Sequence, residues 1–128
     1  LKCLSDEIDK HVRNYCDELN FKYKKYKMTS WVAKFQPGDF AHIHEHGHSD
    51  ISGVFYYKTN EDDGDLVFTS PNPFLKTSKL FAGTELSWIH KPIEGKILLF
   101  PGWIPHGVKT NETDNIRISV SFNINFEN

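Results

Sequence analysis

Residues 40–57 read FAHIHEHGHSDISGVFYY and hold four histidines, His42, His44, His46 and His48, each two positions from the next. A β-strand repeats its side-chain direction every two residues, so such a set shares one face. A row of imidazoles makes a poor core and a good set of metal donors. The alternative is an exposed His-rich turn, because such tracts are compositional hints only. A facial metal site draws ligands from more than one strand. The distant His106, in LLFPGWIPHGV (98–108), is the best candidate for the second strand.

Composition bounds the possibilities. A chain of 128 residues is one structural domain, long enough to bury a proper core. It holds ten Phe, five Tyr and three Trp, and its formal net charge is -2, which leaves no electrostatic footprint for nucleic acid or an anionic membrane. No apolar run approaches the about 20 residues of a membrane span, and no signal-peptide pattern is present. The first residue is Leu1 rather than Met, so a native start and any targeting segment are allowed for upstream. Cys3 and Cys16 match neither a disulfide framework nor a zinc-ligand spacing. They read as free thiols, and a cytoplasmic location is expected.

Around the histidines the chain is punctuated like a small β domain. Residues 5–20 are expected to form a helix, with Ser5 as N-cap, Asp6 and Glu7 in the first turn, and Leu4, Ile8, Val12, Tyr15 and Leu19 as an apolar stripe. Asn20 would end it. Residues 21–30 mix Lys22, Lys24, Lys25 and Lys27 with aromatics. Such a mixture can bind single-stranded nucleic acid, but in an acidic chain an edge strand guarded by lysines is the better reading. From Trp31 onward strands are expected at WVAKF, FAHIHEH, ISGVFYYK, DLVFTS, LSWIHKP and KILLFP, with a hairpin connection at 47–50 and a charged turn at 60–64. About eight short strands with regular turns mean a sandwich or barrel. Residues 1–30 would then be a helix and lead-in, and 31–128 the β domain that carries the histidines.

Residues 116–126, IRISVSFNINF, alternate throughout, with Arg117, Ser119, Ser121, Asn123 and Asn125 on one face. In a barrel one face of each strand lines the interior, where Arg117 would need an anion. The other possibility is that the apolar set makes the core and Arg117 is solvated. An oxygen-activating iron(II) takes few protein ligands on one face and leaves positions open. His44, His46 and His106 could supply three. Arg117, eleven residues on and across one hairpin, could fork onto the far carboxylate of a chelating keto acid, helped by Ser119 and Tyr57.

On these residues residues 31–126 resemble the double-stranded β-helix oxygenases that depend on iron(II) and 2-oxoglutarate. The likeness is to a branch patterned His-x-His, Ser-Gly-Val-Tyr-Tyr, Phe-Pro-x-x-x-x-His, then Arg-x-Ser and Phe-Asn. The matching residues are His44-Glu45-His46, Ser52-Gly53-Val54-Phe55-Tyr56-Tyr57, Phe100-Pro101 with His106, and Arg117-Ile118-Ser119 with Phe122-Asn123. The resemblance implies a mainly β jelly-roll or cupin-like barrel with the N-terminal helix packed outside. It also implies iron(II) on the His-x-His strand and His106, 2-oxoglutarate salt-bridged to Arg117, molecular oxygen as oxidant, and hydroxylation of a substrate C–H bond with release of succinate and carbon dioxide. Most of the wider superfamily uses His-x-Asp or His-x-Glu. A literal His48-Ser49-Asp50 exists here, which makes Asp50 the rival third ligand.

A cupin-like metal enzyme is the runner-up. Gly38 and His44-x-His46 fit a first cupin motif, and Gly95, Pro101 and His106 approximate the second, with Asp50 in the glutamate position and Trp103 replacing a glycine. Arg117-x-Ser119 separates the two, because only the keto-acid oxygenase needs it. A non-catalytic metal-binding barrel is the third reading. The expected substrate is a peptide segment, for instance a prolyl residue, or a small molecule. Trp31, Trp88, Trp103 and Phe74 are candidates for the mouth, and residues 71–79 for a lid. Monomer and dimer are both open.

Overall fold

The alternation of residues 117–127 puts one strand at the centre of the molecule, because a strand with a polar and an apolar face can be covered on both sides only by different chemistry. The computed structural model describes residues 2–72 and 87–127. Helix α1 (Lys2–Glu18) precedes eight strands among these residues. They are β1 (Lys25–Phe35), β2 (Ala41–His44), β3 (Ile51–Lys58), β4 (Leu66–Thr69), β5 (Ser87–His90), β6 (Ile97–Pro101), β7 (His106–Val108) and β8 (Arg117–Glu127). The first sheet runs β1-β8-β3-β6 and the second β2-β7-β4-β5, with every pairing antiparallel. Among the strands of the described residues, only β4 and β5 are neighbours both in this order and in a sheet. All other connections leave the strand's own neighbours or cross between sheets, which winds the chain into a double-stranded β-helix.

This winding corrects two expectations. Residues 47–50 form a turn, with the Ser49 N–H donating to the His46 carbonyl at 2.8 Å, but it is not a hairpin. The Asp50 N–H donates to the Ile124 carbonyl at 2.9 Å, and so draws the chain from the second sheet onto β8 of the first. The link from His106 to Arg117 likewise crosses from β7 in one sheet to β8 in the other.

The two faces of β8 carry different loads. Phe122 and Ile124 turn outward and meet Ile8, Val12 and Cys16 of α1, together with Ile51. Gly53 lies opposite Phe122, and a Cβ there would run into the Phe122 ring and sit 2.8 Å from the Leu98 carbonyl oxygen. Between the sheets, Leu66, Phe68 and Phe100 form a second core with Val54, Leu98 and Val108 at its border. The apolar run of β6 is thereby explained: Ile97 and Leu99 face the helix side, Leu98 and Phe100 the interior.

The helix starts earlier than expected, at Lys2, so Ser5 lies inside it and does not cap it, and no acid occupies the first turn. Leu4 packs on the core and carries the helix past Ser5. At the other end Asn20 adopts φ 54°. Its N–H donates to the Asp17 carbonyl at 3.0 Å, and that of Phe21 to the Cys16 carbonyl at 2.8 Å, a left-handed C-terminal cap. Leu19 falls beyond the last turn and is 64% exposed, and Cys16 takes its place in the stripe. β1 begins at Lys25, inside the stretch read as lead-in, and is an edge of its sheet. Lys25 and Lys27 reach Glu127 of its neighbour at 3.4 and 3.2 Å.

Candidate metal and anion site

Strand register brings the first pair of functional side chains together. His44 ends β2 and pairs directly with His106, the first residue of β7. Two residues past the strand, the His46 N–H donates to the Gly102 carbonyl at 2.9 Å, which ties it to the loop that leads into β7. The ring centroids of His44, His46 and His106 lie 4.5–5.0 Å apart. One nitrogen from each falls within 4.8 Å of the others.

The remaining histidines of the row stay out. The β2–β7 register shifts between Ala41 and His44, which breaks the period of two, and His42 is exposed with its ring edge-on to Phe40. His48 is exposed in the turn. The carboxylate of Asp50 accepts the Phe126 N–H at 2.8 Å and is not in the cluster.

The imidazoles are poised to bind as neutral donors. His44 Nδ1 lies 2.7 Å from the His42 carbonyl oxygen and His106 Nδ1 3.0 Å from that of Ile104. Burial above all pulls the His106 pKa down to about 4, against the hydrogen bond to Ile104, and burial then His44 lower that of His46. A metal ligand must be the neutral ring, and the lowered pKa values of His46 and His106 favour that form in these two.

Facing this cluster across a cavity of about 170 Å³ is Arg117. It is 2% exposed, and its Nη1 donates to the Gly64 carbonyl at 2.8 Å. Gly64 is held at φ 123°, and a Cβ there would sit 2.6 Å from the Lys109 carbonyl oxygen, so the chain can present this carbonyl only without a side chain. The guanidinium lies 4.3 Å over the Phe35 ring and 5.8 Å from that of Tyr56. Its Nε has no hydrogen-bond partner among the described residues, and no carboxylate forms an ion pair with it there. A buried cation in this state is costly unless an anion completes it. Ser119 lines the same cavity and is buried.

Tyr57 does not reach the site. Alternation along β3 turns it outward, 62% exposed, and turns Tyr56 inward at 2%. Tyr56 lines the cavity, and burial pushes its phenol up to about 12, so it is neutral. The parity of the Ser52 and Val54 positions was the available signal for it. Trp31 borders the cavity with its ring 6.4 Å from His46, whereas Trp88 and Trp103 are exposed and do not line it. Phe74 and most of residues 71–79 lie outside the described residues.

Three imidazoles opposite a buried, half-satisfied guanidinium fit a divalent metal beside a carboxylate-bearing ligand. Residues 29–123 match the family model described as "Putative 2OG-Fe(II) oxygenase", and the chain belongs to that family of iron(II)- and 2-oxoglutarate-dependent oxidoreductases, which use molecular oxygen. No curated protein sequence matches. Among solved structures it is similar to a Pseudomonas putida prolyl-4-hydroxylase at TM-score 0.65 and 16% identity, covering 94% of this chain and 63% of that one. It is also similar to an oxidoreductase of the 2OG-Fe(II) oxygenase family from Burkholderia pseudomallei, at TM-score 0.68 and 15% identity, covering 88% and 50%. HygX from Streptomyces hygroscopicus, solved with nickel and 2-oxoglutarate bound, gives TM-score 0.58 and 12% identity, covering 79% and 56%. These likenesses are of fold, and the chain spans half to two thirds of the length of those proteins.

Proposed function

We propose that this chain is an oxygenase that holds iron(II) on His44, His46 and His106, binds 2-oxoglutarate at Arg117, and hydroxylates a C–H bond of a peptidyl residue, such as proline, or of a small molecule. The observation that carries this reading is Arg117, a buried guanidinium whose Nε has no partner among the described residues, in the same cavity as the three imidazoles. A cupin-like enzyme or a passive metal barrel has no use for a buried cation there.

The roles follow from geometry. The three imidazoles would hold the metal, with the cavity beside them able to admit a co-substrate. Arg117 receives the far carboxylate through its fork, with Ser119 offering a hydroxyl on the same face of β8. The Phe35 and Tyr56 rings lie 4.3 and 5.8 Å from the guanidinium, which is buried beside them. The bound iron and keto acid supply the oxidising chemistry, with succinate and carbon dioxide as by-products. Edge strands β1 and β2 both border the cavity, and Trp31 stands beside His46 where a substrate would approach. Peptidyl substrates are in keeping with the Pseudomonas putida prolyl-4-hydroxylase of like fold.

The test is anaerobic titration of the iron(II)-loaded protein with 2-oxoglutarate, following the visible charge-transfer band of a chelated keto acid. A band that saturates in the parent and is lost in Arg117→Ala is the expected result. Bound metal with no band would hand the site to the cupin-like reading.

A further inference from the structure

The Nδ1 atoms of the three imidazoles do not face the same kind of group. For His44 and His106 the partner is a backbone carbonyl, at 2.7 and 3.0 Å. A carbonyl only accepts, so in both rings Nδ1 carries the proton and Nε2 keeps its lone pair for a metal. His46 has no such carbonyl among the described residues. Its Nδ1 lies 3.5 Å from the side-chain amide of Asn123. That amide is tied in turn to the buried Ser52, whose hydroxyl donates to Asn123 Oδ1 at 2.8 Å across the β3–β8 register pair.

A serine hydroxyl can donate or accept, so this pair satisfies two arrangements. In one, Ser52 donates to Oδ1, and the amide nitrogen faces His46 Nδ1, which then bears the lone pair while Nε2 holds the proton. With the amide turned over, Nδ2 donates to Ser52 Oγ and Oδ1 accepts from His46 Nδ1–H. Nε2 of His46 is then free, like those of the other two rings. The 3.5 Å contact is long for a hydrogen bond and leaves the amide room to turn.

We propose that Asn123, set by Ser52, is a positioning residue that selects the tautomer of His46 and so decides whether this histidine completes the metal site through Nε2. This inference rests on the metal-centre reading above. It distinguishes His46 from the other two ligands: their tautomer is written into the backbone, whereas that of His46 depends on two side chains. Groups that orient a metal-bound histidine in this way change metal affinity by about 10–100-fold when removed.

The experiment uses cobalt(II) as the probe, titrated into the metal-free protein and followed by its visible absorption, in the parent and in His44→Ala, Asn123→Ala and Asn123→Asp. Imidazole ¹⁵N shifts of His46 in the metal-free proteins report its tautomer directly. Parent protein that binds one cobalt, lost in His44→Ala and at least about 10-fold weaker in Asn123→Ala, is the expected pattern. Asn123→Asp, which can only accept, should show His46 with its proton on Nδ1 and retain cobalt binding. Cobalt affinity in Asn123→Ala within twofold of the parent overturns the inference while leaving the metal centre intact. So does His46 of Asn123→Asp with its proton on Nε2, a readout that stands even if Asn123→Ala fails to fold. A parent that binds no cobalt, or binding indifferent to His44→Ala, defeats the metal-centre reading, and this inference falls with it.

Discussion

Arg117 and Tyr56 show how much depends on which way single side chains point. The guanidinium is buried beside the Phe35 and Tyr56 rings, donates to the Gly64 carbonyl, and has no partner for its Nε among the described residues. Removing one side of a buried charged pair costs about 2–5 kcal/mol. Arg117→Ala is therefore expected to weaken 2-oxoglutarate binding by at least about 30-fold while sparing the metal, as read by calorimetry on the metal-loaded protein. Tyr57→Ala, on the exposed side of the same strand, should leave that affinity unchanged; a loss there would put the co-substrate outside the cavity described. At Gly53 the constraint is space rather than charge. Gly53→Ala pushes a methyl into the fully buried Phe122 ring and towards the Leu98 backbone carbonyl, and should cost about 1–3 kcal/mol in urea unfolding.

At the scale of elements, α1 is a lid on the outer face of the first sheet, and its energy lies in the middle of the stripe rather than at its ends. Ile8 is buried against Phe122 and Ile124, whereas Leu19 lies past the Asn20 cap. Ile8→Ala is expected to lower stability by about 2–5 kcal/mol. Leu19→Ala should change it by less than about 0.5 kcal/mol. Equal losses in urea denaturation would mean that the helix continues beyond Glu18. The stripe itself was plain in the three- and four-residue spacing of its apolar positions. Its end was not, because a left-handed Asn20 is a local backbone choice that leaves the apolar pattern of Leu19 untouched.

The whole molecule joins two sheets around one cavity. The second sheet contributes His44 and His106, and the first contributes Arg117 and Ser119. A ligand that touches both ties the sheets together, and anything that binds only the folded state stabilises it by mass action, about 2.7 kcal/mol at a hundred times its dissociation constant. Metal should raise the melting temperature, and 2-oxoglutarate added to the metal-loaded protein should raise it further. Arg117→Ala should keep the first increment and lose the second. A second increment that persists in that variant would separate Arg117 from the co-substrate. No helix among the described residues is long and apolar enough to cross a membrane.

Sequence by itself determined what kind of surface each segment could make. Period-two alternation marked residues 116–126 as a strand with a polar face, the continuous apolar run marked β6 as buried, and the family resemblance pointed to Phe100, His106, Arg117 and Ser119, which line the cavity. These are local properties, legible because side-chain direction follows backbone period. Tertiary structure alone decided which histidines converge, since a register shift in β2 and a turn at 47–50 retain His44 and His46 and turn His42 and His48 away. It also decided that the links after His46 and His106 cross between sheets instead of closing hairpins. The reason is that register and sheet membership are set by pairings between residues far apart in the chain, such as Ile51 with Ile124 and His44 with His106, which no local pattern encodes.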